Sequence, residues 1–278
     1  VVTIVAAAKG IVRETMPAGV TPRRKFAICG FASSSRDQVP VNDPEWSIWG
    51  LNQLYRHIRR ADRWFDIHWN WDSETVPGTD YRAWVRDCGI PFYMTKRHAD
   101  LPTSVRYPLE RIAANLTDYF TSTIAFMLAL AIDTIDEQVA TQLMSETFAS
   151  PLALLERQRE LYAEHCIGIF GVDLVVGTEY FHEKPCAEFW IGAAAIGRVI
   201  KVHIPQESAL VRASHRYGYE AEPQAVIKMS EIKSHIAAVA KQREEHLKQL
   251  YIHDGALQSD EYWQQLLELR LRGATVRL

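Results

Sequence analysis

The stretch Ile167-Gly168-Ile169-Phe170-Gly171-Val172-Asp173 constrains the fold of this chain more than any other. It is a short apolar run without polar alternation, and it closes in a Gly and an Asp. A strand covered on both faces reads this way, whereas a strand with one wet face alternates. Similar runs occur at 25–29, 46–51, 63–67, 90–94 and 199–204. Several lead directly into small or polar residues: Gly30-Phe31-Ala32-Ser33-Ser34-Ser35, Asn52-Gln53, His68-Trp69-Asn70-Trp71 and Pro205-Gln206-Glu207-Ser208. Polar residues gathered at strand tips fit an open α/β sheet, which binds ligands outside the carboxyl ends of its strands.

Helical patterns separate these runs. They cover 80–88, an all-round apolar run at 124–132 that predicts a buried helix, and 187–196. Alternating strands and helices predict an α/β fold, a parallel sheet with helices on both faces. Residues 133–165 are charged and helical, with Pro151 as a break, and read as a helical insertion. Beyond 216 the pattern changes. Ile232, Ile236, Val239, Leu247 and Leu250 recur at spacings of mainly three and four, and Asp254-Gly255 gives a turn signal. Ser259 or Asp260 then caps a second helix with Trp263, Leu266, Leu267 and Leu271. The expected organisation is an extension over 1–22, a nucleotide-binding domain over 23–216 with its insertion at 133–165, and a helical hairpin over 217–278. The hairpin either folds back or builds a homo-oligomer contact.

Composition removes several classes. At 278 residues, 47% hydrophobic and 23% charged, the chain fits an ordinary globular protein. Its net charge of −3 gives no global field to collect nucleic acid. Locally, Arg56, Arg59, Arg60 and Arg63 lie close enough to form a phosphate track, or simply a solvated face. The four cysteines are widely spaced, which excludes a zinc-ligand pattern and suits a reducing cytoplasm. The apolar run at 124–132 is too short to cross a bilayer, so no membrane role is expected.

The motifs speak for a nucleotide without a metal. No HExxH, P-loop or GxSxG occurs. Gly30 permits a tight turn, and Ser33 and Ser34 supply hydroxyls for a phosphate or sugar, although small residues after a strand are as often just a turn. Asn52 at a strand tip suits a base edge or ribose, or caps the next helix. Thr121, Ser122 and Thr123 precede the buried helix, whose N-terminus offers free N–H groups to an anion. Of ten histidines, His68 and His182 fall in predicted strand-end loops, where a histidine near neutral pKa can serve as a base.

In this order the motifs resemble the bacterial sialyltransferases that use CMP-sialic acid, metal-independent enzymes on a Rossmann-like domain. Gly30-Phe31-Ala32-Ser33-Ser34 stands for their Gly-x-Gly-Pro-Ser, and Leu51-Asn52-Gln53-Leu54 for their Cys-Asn-Gln-Phe. Thr121-Ser122-Thr123 stands for Thr-Ser-Gly, Phe170-Gly171-Val172-Asp173-Leu174 for Ser-Gly-Ile-Asp-Phe, and 203–208 for the stretch closing in Cys-Pro-Asn-Ser. The resemblance covers roughly 25–212 and departs from the pattern at Ala32-Ser33 and at Thr123. It implies a nucleotide-sugar-dependent glycosyltransferase, inverting, with no cofactor beyond the donor. It further implies that Gly30, Ser33, Ser34, Asn52 and Thr121 to Thr123 hold the donor, and that Asp173 contacts ribose or orients a loop. His182 would be the base, and Tyr180 would steady the leaving phosphate. The chain also resembles phage-type proteins sharing Trp49-Gly50-Leu51-Asn52, which implies a modified base in phage DNA as acceptor and the host cytoplasm as location. Two alternatives stay open: a nucleotide-binding protein that sequesters or senses, and a nucleotide hydrolase using Asp66, Asp173 and Glu179 around Mg²⁺.

Overall fold

The computed structural model describes residues 23–69, 71, 80–174, 180–212, 218 and 229–271. The expected extension at 1–22 lies outside them. The chain divides into two compact units, Val1–Ala213 and Ser214–Leu278.

The first unit is built on seven strands: β1 Lys25–Cys29, β2 Trp46–Leu51, β3 Arg63–Asp66, β4 Phe92–Met94, β5 Ser104–Arg106, β6 Cys166–Phe170 and β7 Lys201–His203. All pair in parallel, in the order β5-β4-β3-β2-β1-β6-β7. The chain steps outward from β1 to β5, then returns to the far side of β1 for β6. The topological switch point therefore lies between β1 and β6, and every carboxyl strand end faces one edge.

Successive side chains of a strand point to opposite faces, and here both faces are dry. Phe26, Ile28, Trp49, Phe65, Ile167 and Ile169 pack on one side. Ala27, Cys29, Ile48, Trp64, Phe92 and Met94 pack on the other. The first side is covered by α3 Thr123–Met144, α4 Pro151–Ala163 and α5 Tyr180–Ala195. The second is covered by α1 Tyr81–Asp87, through Tyr81 and Val85. Short α2 Leu109–Asn115 follows β5. The expected parallel α/β sheet with two covered faces is thus present.

Local expectations fare unevenly. Ser122, in the stretch expected to start the buried helix, caps α3, and Ser150, which the sequence reading did not single out, caps α4; each accepts a hydrogen bond from the backbone three residues on. Pro151 starts α4 instead of breaking a helix, because Pro is well accommodated in a first turn. Residues 133–144 are not inserted; they continue α3, whose buried face runs on through Ile135, Val139 and Leu143. β5 and α2 fill the mixed stretch 95–118, where Pro102 and Pro108 obscure them. α5 starts at Tyr180 and passes through Pro185, so His182 lies in a helix and not in a loop. The stretch from Pro205, which the sequence reads as the start of a short helical segment, forms turns at 206–207 and 210–211 instead.

In the second unit, α6 Met229–Leu271 is one helix of 43 residues. It replaces the expected hairpin and runs straight through Asp254-Gly255. A single glycine inside a helix costs only about 1 kcal/mol, which neighbouring turns offset. Among the described residues, no helix is long and apolar enough to cross a membrane.

Candidate functional site

The switch point is closed by two glycines in backbone contact. Gly30 N donates to Phe170 O at 2.8 Å, and Ala32 N to Gly171 O at 2.8 Å. A Cβ on Gly30 would stand 2.4 Å from the Gly171 carbonyl oxygen, and one on Gly171 would stand 2.4 Å from that of Gly30. Gly171 also has φ of +64°, a conformation glycine adopts at no steric cost. Ser35 Oγ accepts from Gly171 N at 2.9 Å, so this third serine ties the loop to β6.

Beside this joint, two side-chain oxygens are buried without a hydrogen-bond partner: Ser34 Oγ and Asn52 Oδ1. They stand after β1 and β2, adjacent strands about 5 Å apart. Asn52 has φ of +47°, a left-handed conformation that Asn tolerates better than most residues. Its backbone carbonyl accepts from Trp64 Nε1 at 2.9 Å, which anchors the turn. A buried polar atom left without a partner costs free energy unless something supplies one. A third such oxygen, Thr103 Oγ1, precedes β5 at the opposite edge. Ser33 is exposed.

The helix termini meet at the same edge. Tyr107, just past β5, donates through its hydroxyl to Phe126 O in the first turn of α3. Thr121 Oγ1 donates to the carbonyl of His182 at 3.0 Å, joining the approach to α3 with the first turn of α5. Trp190 Nε1 and Cys186 Sγ both donate to Tyr119 O, and Phe120 stacks on Trp190 with centroids 5.3 Å apart. The structure therefore brings Thr121, Ser122 and Thr123 to His182. The His182 side chain is exposed. Tyr180 opens α5, but its side chain lies outside the described part. Asp173 Oδ1 accepts from Ala209 N at 3.4 Å, and Ser208 Oγ donates to Val172 O at 2.7 Å, so Asp173 helps to hold the turn after β7.

Asp66 and His68, read from the sequence as separate candidates, join in a second polar cluster that the sequence reading did not assemble. Asp66, buried at the tip of β3, accepts from Tyr81 OH at 2.9 Å and Trp71 Nε1 at 3.2 Å on one oxygen. Its other oxygen meets His68 Nδ1 at 2.5 Å. Burial first, then the Asp66 charge, holds the Tyr81 phenol well above its ordinary pKa, so it remains a donor. The available signal was the i, i+2 spacing of Asp66 and His68, which puts both on one side of an extended segment. The neighbouring aromatics divide: Trp71 is core, while Trp69 is 83% exposed.

The arginine group also divides. Arg60 donates to the carbonyls of Val41, Asp43 and Trp46 and pairs with Asp62. Arg63 lies over the rings of Trp49 and Tyr93. Arg56 and Arg59 are exposed. Of the candidate metal carboxylates, Asp66 is turned to its three donors, and Glu179 lies outside the described residues. No group of three or more His, Cys, Asp or Glu among the described residues could hold a metal ion.

Searches against family models and curated proteins returned no match. Among solved structures, the chain is similar to the sialyltransferase CstII from Campylobacter jejuni in two complexes. The complex with the substrate analogue CMP-3FNeuAc aligns at 12% identity and TM-score 0.30, over 65% of this chain and 79% of that one. The complex with cytidine-5'-monophosphate aligns at 10% identity and TM-score 0.31, over 72% and 96%.

Proposed function

We propose that this protein is a nucleotide-sugar-dependent glycosyltransferase, inverting and metal-independent. One observation carries the ligand site. Ser34 Oγ and Asn52 Oδ1 are buried and unpartnered beside the switch point of a parallel sheet. A ligand with hydroxyl or amino groups supplies what these oxygens lack. The class of ligand rests on the order of motifs, which resembles that of the CMP-sialic acid enzymes.

In this reading Gly30 lets the donor loop turn closely against Gly171, and Ser33, Ser34 and Asn52 hold the donor's phosphate and nucleoside. Thr121, Ser122 and Thr123 face its leaving side, and Asp173 keeps the turn after β7 in place. The acceptor oxygen attacks the anomeric carbon and forms the new C–O bond. The bond from that carbon to the phosphate oxygen breaks, and the nucleotide leaves with the electron pair. The acceptor proton passes to His182, and Tyr180 donates to the departing phosphate. With a modified, hydroxyl-bearing DNA base as acceptor, Arg56 and Arg59 are the members of the arginine group that would meet the phosphates of the DNA.

The contact between Asp66 and His68 favours a second assignment of the base. Asp66 fixes the proton on Nδ1, which makes Nε2 the basic nitrogen, as in other carboxylate-oriented histidines.

A thermal-shift screen tests the proposal, using CMP, UDP, GDP, ADP and their sugar conjugates with and without Mg²⁺. The expected result is a metal-independent rise in Tm with one nucleotide sugar, by mass action on the folded state. A rise with free nucleotide but no turnover would favour a sequestering protein, and a strict Mg²⁺ requirement a hydrolase. No rise with any compound would overturn the reading.

A further inference from the structure

We propose that α6 pairs side by side and antiparallel with the same helix of a second copy of this chain. This is independent of the reading above. Apart from half-buried Leu266, the residues of the helix at 233–268 are exposed, among them Ile236 61%, Leu250 57%, Leu257 60% and Leu267 58%. Most helical stability in proteins comes from packing an apolar stripe on a partner, not from propensity. α6 carries a seam in which six of eleven positions are apolar. Ile236, Val239, Arg243, His246, Leu250, His253, Leu257, Asp260, Gln264, Leu267 and Leu271 follow each other at strictly alternating spacings of three and four. That is the repeat of a coiled-coil seam.

The charged members of the stripe select the occupant and its direction. In a parallel, in-register pair, Arg243 would face Arg243 of the second copy, and Asp260 would face Asp260. Both layers would set like charges together inside the seam. Running the second helix the other way, with Leu250 opposite His253, changes every layer at once. Arg243 then faces Asp260, and Asp260 faces Arg243. Ile236 meets Leu267, Val239 meets Gln264, and His246 meets Leu257. The same alignment sets Lys233 across from Glu268 beside the seam. No layer joins like charges, and each contact occurs twice, as a two-fold interface requires. The layers from Ile236 to Leu267 extend over about 47 Å at the rise of an α-helix. This self-complementarity of charge argues for a second copy over an unrelated partner.

The test uses the full chain and measures its mass in solution by light scattering and sedimentation. The unmodified protein is expected to be a dimer. Arg243→Asp and Asp260→Arg, made separately, each place like charges in two layers. Each should raise the dimer dissociation constant about a hundredfold. The double variant Arg243→Asp/Asp260→Arg restores both opposite pairs and should restore the dimer, which separates a lost contact from a lost fold. A disulfide between chains carrying Ile236→Cys and chains carrying Leu267→Cys is expected in a mixture. A monomeric unmodified protein would overturn the proposal. So would single variants that leave the dimer intact, since a parallel pair gains no new clash from them, or a double variant that stays monomeric.

Discussion

Two neighbouring parts of the sheet's carboxyl edge treat buried polar atoms in opposite ways. At the tip of β3, Asp66 has its carboxylate engaged by Tyr81, Trp71 and His68. Beyond the tips of β1 and β2, Ser34 Oγ and Asn52 Oδ1 have no partner. Both regions lie on the same sheet, and the chain satisfies one fully while leaving the other open. A satisfied cluster rigidifies a fold, whereas an unsatisfied one adds a cost that only a ligand or water removes. The Asp66 carboxylate is held on both oxygens, whereas the corner after β1 and β2 keeps two oxygens without a partner, the feature on which the proposed ligand site rests.

The comparison can be broken by mutation. The largest effect is expected from Gly171→Ala, which tests the joint on which the open corner rests. Its Cβ would collide with the Gly30 carbonyl, and φ is positive. A loss of about 3 kcal/mol in urea denaturation is expected. Next comes Asp66→Asn, which turns an acceptor into a mixed group facing three donors. It should cost about 2 kcal/mol. If it costs nothing, the β3 cluster is not scaffold. The smallest effect on stability is expected from Ser34→Ala. Its hydroxyl makes no hydrogen bond, so stability should stay within about 0.5 kcal/mol of the parent. Affinity for the nucleotide sugar identified by thermal shift should nevertheless fall about tenfold. A Ser34→Ala protein as destabilised as Asp66→Asn, with unchanged binding, would erase the distinction between the two regions.

Much of this corner was legible beforehand. Gly30 and Asn52 stand out because each follows an apolar run directly, and such runs are local signals. The division of labour among the serines was not legible. Ser33, Ser34 and Ser35 are equivalent in the sequence, yet one is exposed, one is buried without a partner, and one bonds to Gly171 across 136 residues. Asp66 and His68 stood out singly, but their joining in one cluster was not legible, because Trp71 and Tyr81 reach it from beyond the strand. Arg60 and Arg63 read as surface charge, but backbone carbonyls at 41–46 and the ring of Trp49 take them up.

The sequence by itself determined the parallel α/β class and five strands to within two residues at either end, because a strand buried on both faces writes its burial as an unbroken apolar run. It also marked the Thr121 to Thr123 stretch as a helix start, where Ser122 is the cap, since a cap acts within three residues. Only the tertiary structure decided the placement of β6 beside β1, and hence the switch point, because strand order is fixed by packing between segments far apart in the chain. Only the structure decided that 133–144 prolong α3 and that α6 passes through Asp254-Gly255. A helix continues wherever the gain from neighbouring turns exceeds the cost of one unfavourable residue, and a local turn signal records only that cost.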